Sequence, residues 1–324
     1  MKVGLYSVTY LGLWYDGPAL DIRELIGRAS RFGYDGIEID GKRPHAHPLD
    51  LSPTACRALA REAADAGVEI YAVAANNDFS SSIAEIRDSQ LACTRQLIDL
   101  ASALGAGILR VFAAWPGVHH GSEGGSYEVA EKIWSDEHQS SDREELWERC
   151  RDGLIQLSGW AEDAGILLAL QNHPQVVNNA GDMLRMIAEV GSPHLKACFD
   201  APLAYKQGVT DMQKIAGEVG ALQILTHFGG EYSEDTEGHI RSIVRWRDGR
   251  VEPETFYTDF VTGMREIGYD GYIGYELCHP LPLVNGLRPD IQFVDRNVEL
   301  AARFMRQLLA RTAASHSAAP VLSR

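Results

Sequence analysis

A chain of 324 residues, 45% hydrophobic and 23% charged, has room for one large domain or two ordinary ones, and none of its apolar runs approaches the roughly 18–20 residues that span a bilayer. Thirty Lys and Arg against forty-five Asp and Glu give a formal charge of −15, which repels phosphate backbones and argues against nucleic acid as a partner, as the lack of an apolar span does for a membrane. Five scattered cysteines (Cys56, Cys93, Cys150, Cys198, Cys278), never spaced C-x-x-C, point to reduced thiols and a cytoplasmic setting rather than a disulfide or zinc scaffold.

In chain order, the opening MKVGLYSVTYLGLWYDG reads as a first strand, Val3–Val8, rather than a secretory signal. One phrase then recurs: an amphipathic helix ending in Gly, a short apolar or β-branched run, then polar residues. Its copies include GRASRFGYDGIEID (27–40), ASALGAGILRVFAAW (101–115), AEDAGILLALQNH (161–173), IAEVGSPHLKACFD (187–200), AGEVGALQILTHFGG (216–230) and MREIGYDGYIGYE (264–276), with a further copy around 63–77. A terminal Gly suits a left-handed helix cap, and near-continuous apolar strands suit a parallel sheet covered by helices. Eight such units predict an α/β fold, a single-domain (β/α)8 TIM barrel over residues 1–311, with 312–324 as a disordered tail. A doubly wound sheet is the competitor, but SVTYLGLW after the first strand lacks its Gly-rich phosphate loop. Two connections are oversized: a loop insertion at 115–145 after strand four and the stretch 229–253 after strand seven. Long loops at strand C-termini build or cover sites.

Chemistry in such a barrel belongs at the C-terminal ends of the strands. Strand two ends at Glu38 and Asp40 and runs into Lys42, Arg43 and His45; strand three ends at Asn76 and strand four at Trp115. His45, Asn76 and Trp115 are the candidate substrate contacts. Strands five to eight deliver Gln171, Asp200, His227 and Glu276. Oxygen and imidazole donors on four consecutive strands suit a divalent cation, Mn²⁺ first and Mg²⁺ or Co²⁺ next, and no thiolate is counted among them. His119 and His120 either face solvent or serve the site. Cys93 and Cys150 fall on helices and are expected to pack, and Cys278 reads as a small core residue.

The segments FGYDGIEI, LALQNH, ACFD, THFGG and GYDGYIGYE together resemble the xylose-isomerase-like TIM barrels, among them sugar-phosphate isomerases and epimerases, along nearly the whole chain to about Arg311. The resemblance implies that Gln171, Asp200, His227 and Glu276 are the metal ligands. The first ligand in that family is usually Glu, which in the epimerases is also one of two acid/base groups. Gln171 cannot accept a proton at neutral pH. Glu276 and His173, two residues beyond Gln171, are therefore the expected catalytic pair. The alternative for His173 is a structural imidazole under the strand-five loop. The D-T-G-H common in the family after strand six is replaced by Asp200-Ala201-Pro202-Leu203.

These departures favour a metal-dependent lyase that removes a proton next to a ketone and expels an aromatic aglycone from a 3-keto-glycoside, similar to the α-subunits of C-glycoside deglycosidases. That resemblance implies a small β-subunit as partner, and an oligomer is expected. Trp14, Tyr15, Trp115, Trp134 and Tyr205 are the aromatic residues placed at the rim for such an aglycone. The alternative is a single-chain isomerase or 3-epimerase of sugars. A neutral sugar is favoured over a phosphorylated one, since only Lys42, Arg43 and Lys206 lie near the rim.

Overall fold

The computed structural model describes residues 1–121, 124–245, 251–253 and 256–318. Eight parallel strands close on themselves: β1 (Lys2–Tyr6), β2 (Gly36–Asp40), β3 (Glu69–Ala74), β4 (Ile108–Val111), β5 (Leu167–Gln171), β6 (Leu195–Cys198), β7 (Gln223–Gly229) and β8 (Tyr272–Glu276). Strand β1 closes the ring by pairing with both β2 and β8, through Gly4↔Gly36 and Gly4↔Gly274 among others. Helices run between successive strands, so the predicted (β/α)8 barrel is the observed one. The Gly caps behave as their sequence positions demand: Gly105, Gly165 and Gly191 end helices at φ +79°, +66° and +68°, where a Cβ is strained.

Side chains alternate along each strand, so every second residue enters the barrel. The floor is a stacked pair, Tyr71 on Tyr272 at 3.9 Å between centroids, surrounded by Ala72, Ala169, Cys198 and Leu225. A large outer core of aliphatic and aromatic side chains lies between strands and helices. Charged and polar side chains occupy the upper interior, at the strand C-termini.

The described residues of both oversized connections form strands and helices. The insertion after β4 forms a hairpin, His119–Gly121 with Gly124–Ser126, then a helix, α4 (Tyr127–Glu137), and leads into the long helix Arg143–Ala164. Ser126 caps α4 by accepting from the Val129 amide at 3.3 Å. The stretch after β7 forms a three-stranded antiparallel sheet (Glu231–Glu234, Ile240–Arg245, Val251–Pro253). It is tied to the last helix by Arg296 and Arg303 on Glu234, at 2.7 and 2.6 Å. That last helix runs Ile291–Ala318. Residues 312–318, expected in a disordered tail, thus continue the helix, and 319–324 lie outside the described residues.

Candidate functional site

Five interior side chains form one buried hydrogen-bonded chain across the barrel. Arg110 donates from Nε to Glu38 at 2.7 Å and from a terminal nitrogen to Gln171 Oε1 at 2.6 Å. Gln171 Nε2 donates to Asp200 Oδ2. His227 Nδ1 faces the same carboxylate at 3.0 Å, and its Nε2 contacts Glu38 Oε2 at 2.6 Å. Each of the five is at most 2% exposed. A buried charge is tolerated only when paired and hydrogen-bonded, and here two carboxylates are matched by a guanidinium and an imidazole.

Asp200 holds the N-cap position of the short helix Ala201–Lys206 but makes no side-chain cap bond there. Its carboxylate instead accepts the His227 backbone N–H at 2.8 Å, while its own amide donates to Asn172 Oδ1 at 2.8 Å. Burial opposes ionisation of Asp200 and Glu38. The His227 ring beside each, with Arg110, outweighs it and holds both below the usual carboxylate range. For His227, burial is outweighed by Asp200 and Glu38, which raise it well above an ordinary imidazole.

Cys198, Asp200 and His227 present donor atoms that all lie within 4.8 Å of one another. Sequence reading missed the thiol: Cys198 sits two residues before Asp200 and so shares its face, with Sγ 3.6 Å from Asp200 Oδ1 and 3.8 Å from His227 Nδ1. Burial pushes this thiol far above its ordinary value, so it is protonated and a weak ligand. The donor set of Asp200 and His227 fits a divalent cation. His227 spans two carboxylates, with Nε2 2.6 Å from Glu38 and Nδ1 3.0 Å from Asp200, and a cation between Nδ1 and Asp200 would take the place of the proton that otherwise bridges them. Glu276 approaches from β8 outside that tight trio and is the most open of the predicted ligands. Desolvation, with the Asp200 charge, pushes it above its ordinary value against the pull of His227 and Arg110. The Cys278 thiol hydrogen-bonds it, so Cys278 contacts the site rather than merely filling core.

His173 leaves β5 with its ring edge-on to Trp115 (4.5 Å) and Phe112 (5.3 Å), and its Nδ1 meets the Pro174 carbonyl. Desolvation lowers its pKa to about 4, so the imidazole is neutral at neutral pH. Trp115 also stacks on Phe112 at 5.0 Å and meets Tyr127 edge-on at 6.0 Å; Tyr127 stacks on Trp14 at 5.2 Å. These rings form a wall that includes residues of the insertion, and Tyr127 reaches across to donate to the Cys278 carbonyl at 2.8 Å.

Other predicted contacts lie elsewhere or are already engaged. Asn76 donates to Asp40 at 2.6 Å and accepts from Lys42 at 3.2 Å, on the β2–β3 side of the mouth. Both ring nitrogens of buried His45 are taken, by Ser7 Oγ at 2.9 Å and the Leu20 carbonyl at 3.1 Å, which leaves none for a substrate. Trp134 binds Asp78 and Ser80 through its N–H and stacks on His138, so it anchors α4. Tyr15 is buried with its hydroxyl on the Tyr10 and Pro18 carbonyls, and Tyr205 stacks on Phe256 at 4.4 Å. Lys42 pairs with Asp40 (3.3 Å) and Arg43 with Asp50 (2.7 Å). His119 and His120 are exposed on the hairpin; Cys150 is buried as expected, whereas Cys93 is exposed. Arg110 is the functional residue the sequence reading passed over. Its signal was a lone charge inside the apolar run GILRVF.

Residues 26–302, most of the chain, match the family described as xylose isomerase-like TIM barrel. The chain belongs to that family. Within this xylose isomerase-like group it is 25% identical over 289 residues to fructoselysine 3-epimerase of Shigella flexneri, covering 86% of this chain and 90% of that protein. Its fold matches D-psicose 3-epimerase, solved in the presence of D-fructose, with a TM-score of 0.70 and 18% identity over 95% of this chain and 99% of that one. It also matches 3-keto-D-glucoside 4-epimerase of E. coli, with a TM-score of 0.64 and 18% identity over 95% and 99%. All three names are those of sugar epimerases, and none is that of a deglycosidase subunit. They favour the epimerase alternative over the lyase. Among the described residues no helix is long and apolar enough to cross a membrane.

Proposed function

We propose that this chain is a divalent-metal-assisted epimerase or isomerase of non-phosphorylated keto-sugars, moving a proton at a carbon next to a carbonyl. The observation that carries this reading is the order of groups round the mouth. Asp200, just past β6, and His227, on β7, lie between His173, just past β5, and Glu276 on β8, so the candidate cation site is flanked by two groups able to exchange protons. Asp200, His227 and Glu276 would hold a divalent cation, Mn²⁺ by preference, whose chemistry when bound would be Lewis-acid polarisation of the carbonyl oxygen. Glu276, pushed upward by burial, is the carboxyl group placed to exchange a proton, and neutral His173 accepts one from the other side. Gln171 exchanges none. Trp115, with Phe112 and Tyr127, excludes water from that side of the mouth, and Asn76 with Asp40 offers polar contacts to sugar hydroxyls on the far side. Two of the three cationic side chains near the rim, Lys42 and Arg43, are already paired with carboxylates, which supports a neutral sugar.

The aromatic wall favours one second reading, elimination of an aryl aglycone from a 3-keto-glycoside. One experiment separates the two. Protein loaded with Mn²⁺ is incubated in D₂O with free ketohexoses, 3-keto-glucose and 3-keto aryl glucosides, and products are followed by NMR. Deuterium at the carbon next to the carbonyl, together with the inverted sugar, is the expected result. Aglycone release without any inverted product would replace the epimerase with the lyase, and no deuterium uptake from any of these sugars would remove both.

A further inference from the structure

We infer that Gln171 is not a metal ligand in this chain but a hydrogen-bond relay that orients Asp200, held in that role by Arg110. The inference rests on the metal-centre reading above and concerns which side chains complete it. A glutamate at this position has two equivalent oxygens, so one can meet a guanidinium while the other meets a cation. A glutamine has a single oxygen and a donor-only nitrogen. Arg110 can only donate, so the partner it meets at 2.6 Å must be the amide oxygen, which fixes how the amide is turned. The nitrogen then points at Asp200 Oδ2 and donates to it. The one oxygen Gln171 could offer to a cation already faces a guanidinium carrying a full positive charge, so a cation drawn to its second lone pair would meet that charge at close range.

Arg110 has no freedom to let go. Its Nε is bound to Glu38 at 2.7 Å, its guanidinium lies 4.7 Å from the Tyr6 ring centroid and 4.9 Å from that of Phe112, and it is 2% exposed. Turning the amide over would bring the Gln171 NH₂ against the guanidinium and its oxygen against the Asp200 carboxylate, replacing two good bonds with two repulsions. The amide at 171 therefore matches the arginine at 110: the cation keeps three protein ligands, and Gln171 sets the angle of one of them.

Cobalt supplies a readout independent of turnover, because its visible absorption reports the donor atoms and their number. Spectra of Co²⁺-loaded wild type, Gln171→Ala, Gln171→Glu and Asp200→Ala would be compared alongside Mn²⁺ binding isotherms, with circular dichroism confirming each fold. The expected result is an unchanged spectrum in Gln171→Ala, with Mn²⁺ affinity falling by about 10–100-fold, the usual effect of losing an outer partner. Gln171→Glu should alter the spectrum, because its second oxygen reaches the cation. An altered spectrum in Gln171→Ala would overturn the inference by showing oxygen ligation from Gln171 already present, and an unaltered one in Gln171→Glu would overturn its premise that a second oxygen at this position reaches the cation. If Asp200→Ala binds Mn²⁺ as wild type does, the metal-centre reading itself fails, and this outcome is distinct from either of the others.

Discussion

Gly274, in the middle of β8, is where a single methyl group tests the whole upper barrel. A Cβ built there would lie 2.9 Å from His227 Cδ2 and 2.8 Å from Tyr71 Oη, inside ordinary contact distances, and both neighbours are themselves buried. The His227 ring cannot simply step aside, because its two nitrogens are pinned by Asp200 and Glu38 at 3.0 and 2.6 Å. Overpacking of this kind costs about 1–3 kcal/mol. For a chain of this length that corresponds to a fall of roughly 2–5 °C in Tm. Relief of the clash needs a ring shift on the order of 0.5 Å, and misplacements of about 1 Å at a reacting centre cost around 10²-fold, so a loss of roughly tenfold in kcat/KM is expected. Gly4→Ala is the control. Its Cβ meets the Tyr71 ring at 2.6–2.7 Å and has no His227 atom among its nearest contacts, so it should lower Tm while leaving bound Mn²⁺ intact. Thermal melts and bound-metal content of the two variants decide the matter. Equal metal retention in Gly274→Ala and Gly4→Ala would refute the idea that Gly274 exists to seat the His227 ring.

Three further outcomes are expected. Asp200→Ala and His227→Ala should each lose nearly all bound divalent ion by elemental analysis, and full occupancy in both would contradict the metal assignment. His173→Ala should lower kcat by about 10²–10⁴ with metal retained; an unchanged kcat would make the ring a structural partner of the Pro174 carbonyl instead. Tyr127→Phe removes one hydrogen bond to the Cys278 carbonyl, at a cost of about 0.5–1.5 kcal/mol, and should raise KM several-fold with little effect on kcat, whereas a fall confined to kcat would mean that the hydroxyl acts on the reaction itself.

The barrel was legible because its signals are local. Gly-ended helices and apolar strands follow from propensity and from the need to cover a parallel sheet, and each repeats through the chain. The strand ends were legible for the same reason, since period two carries Gln171, Asp200, His227 and Glu276 inward once the strands are placed. Partnership was not legible. Nothing in GILRVF says that Arg110 spans from Glu38 to Gln171, because those contacts join residues 72 and 61 positions apart. The same holds for His45, whose polar rim position conceals two internal partners. Ser126 followed by YEVAEKIW carries a helix-cap signal inside a Gly- and His-rich stretch that reads as loop, and the Ala-rich end of the last helix has high helix propensity although its terminal position reads as tail.

The insertion between β4 and the helix that follows is moored at both ends to other connections. Gly124 and Gly125 lie so close to Leu13, Trp14 and Arg288 that a Cβ at either would meet them at 3.3 Å or less, and Tyr127 binds the Cys278 carbonyl. At its far end Trp134 and His138 bind Asp78 and Ser80 from the connection after β3. For anyone recombining family members, this segment is therefore not a transferable cassette. Grafted alone onto another barrel it would arrive without its sockets, and excised from this one it would take the Trp134 and His138 nitrogens from Asp78 and Ser80 and strip the cover from Trp14. The smallest unit that can be exchanged is the insertion together with residues 13–14, 78–80, 278 and 288, drawn from four separate stretches of chain and inherited as one.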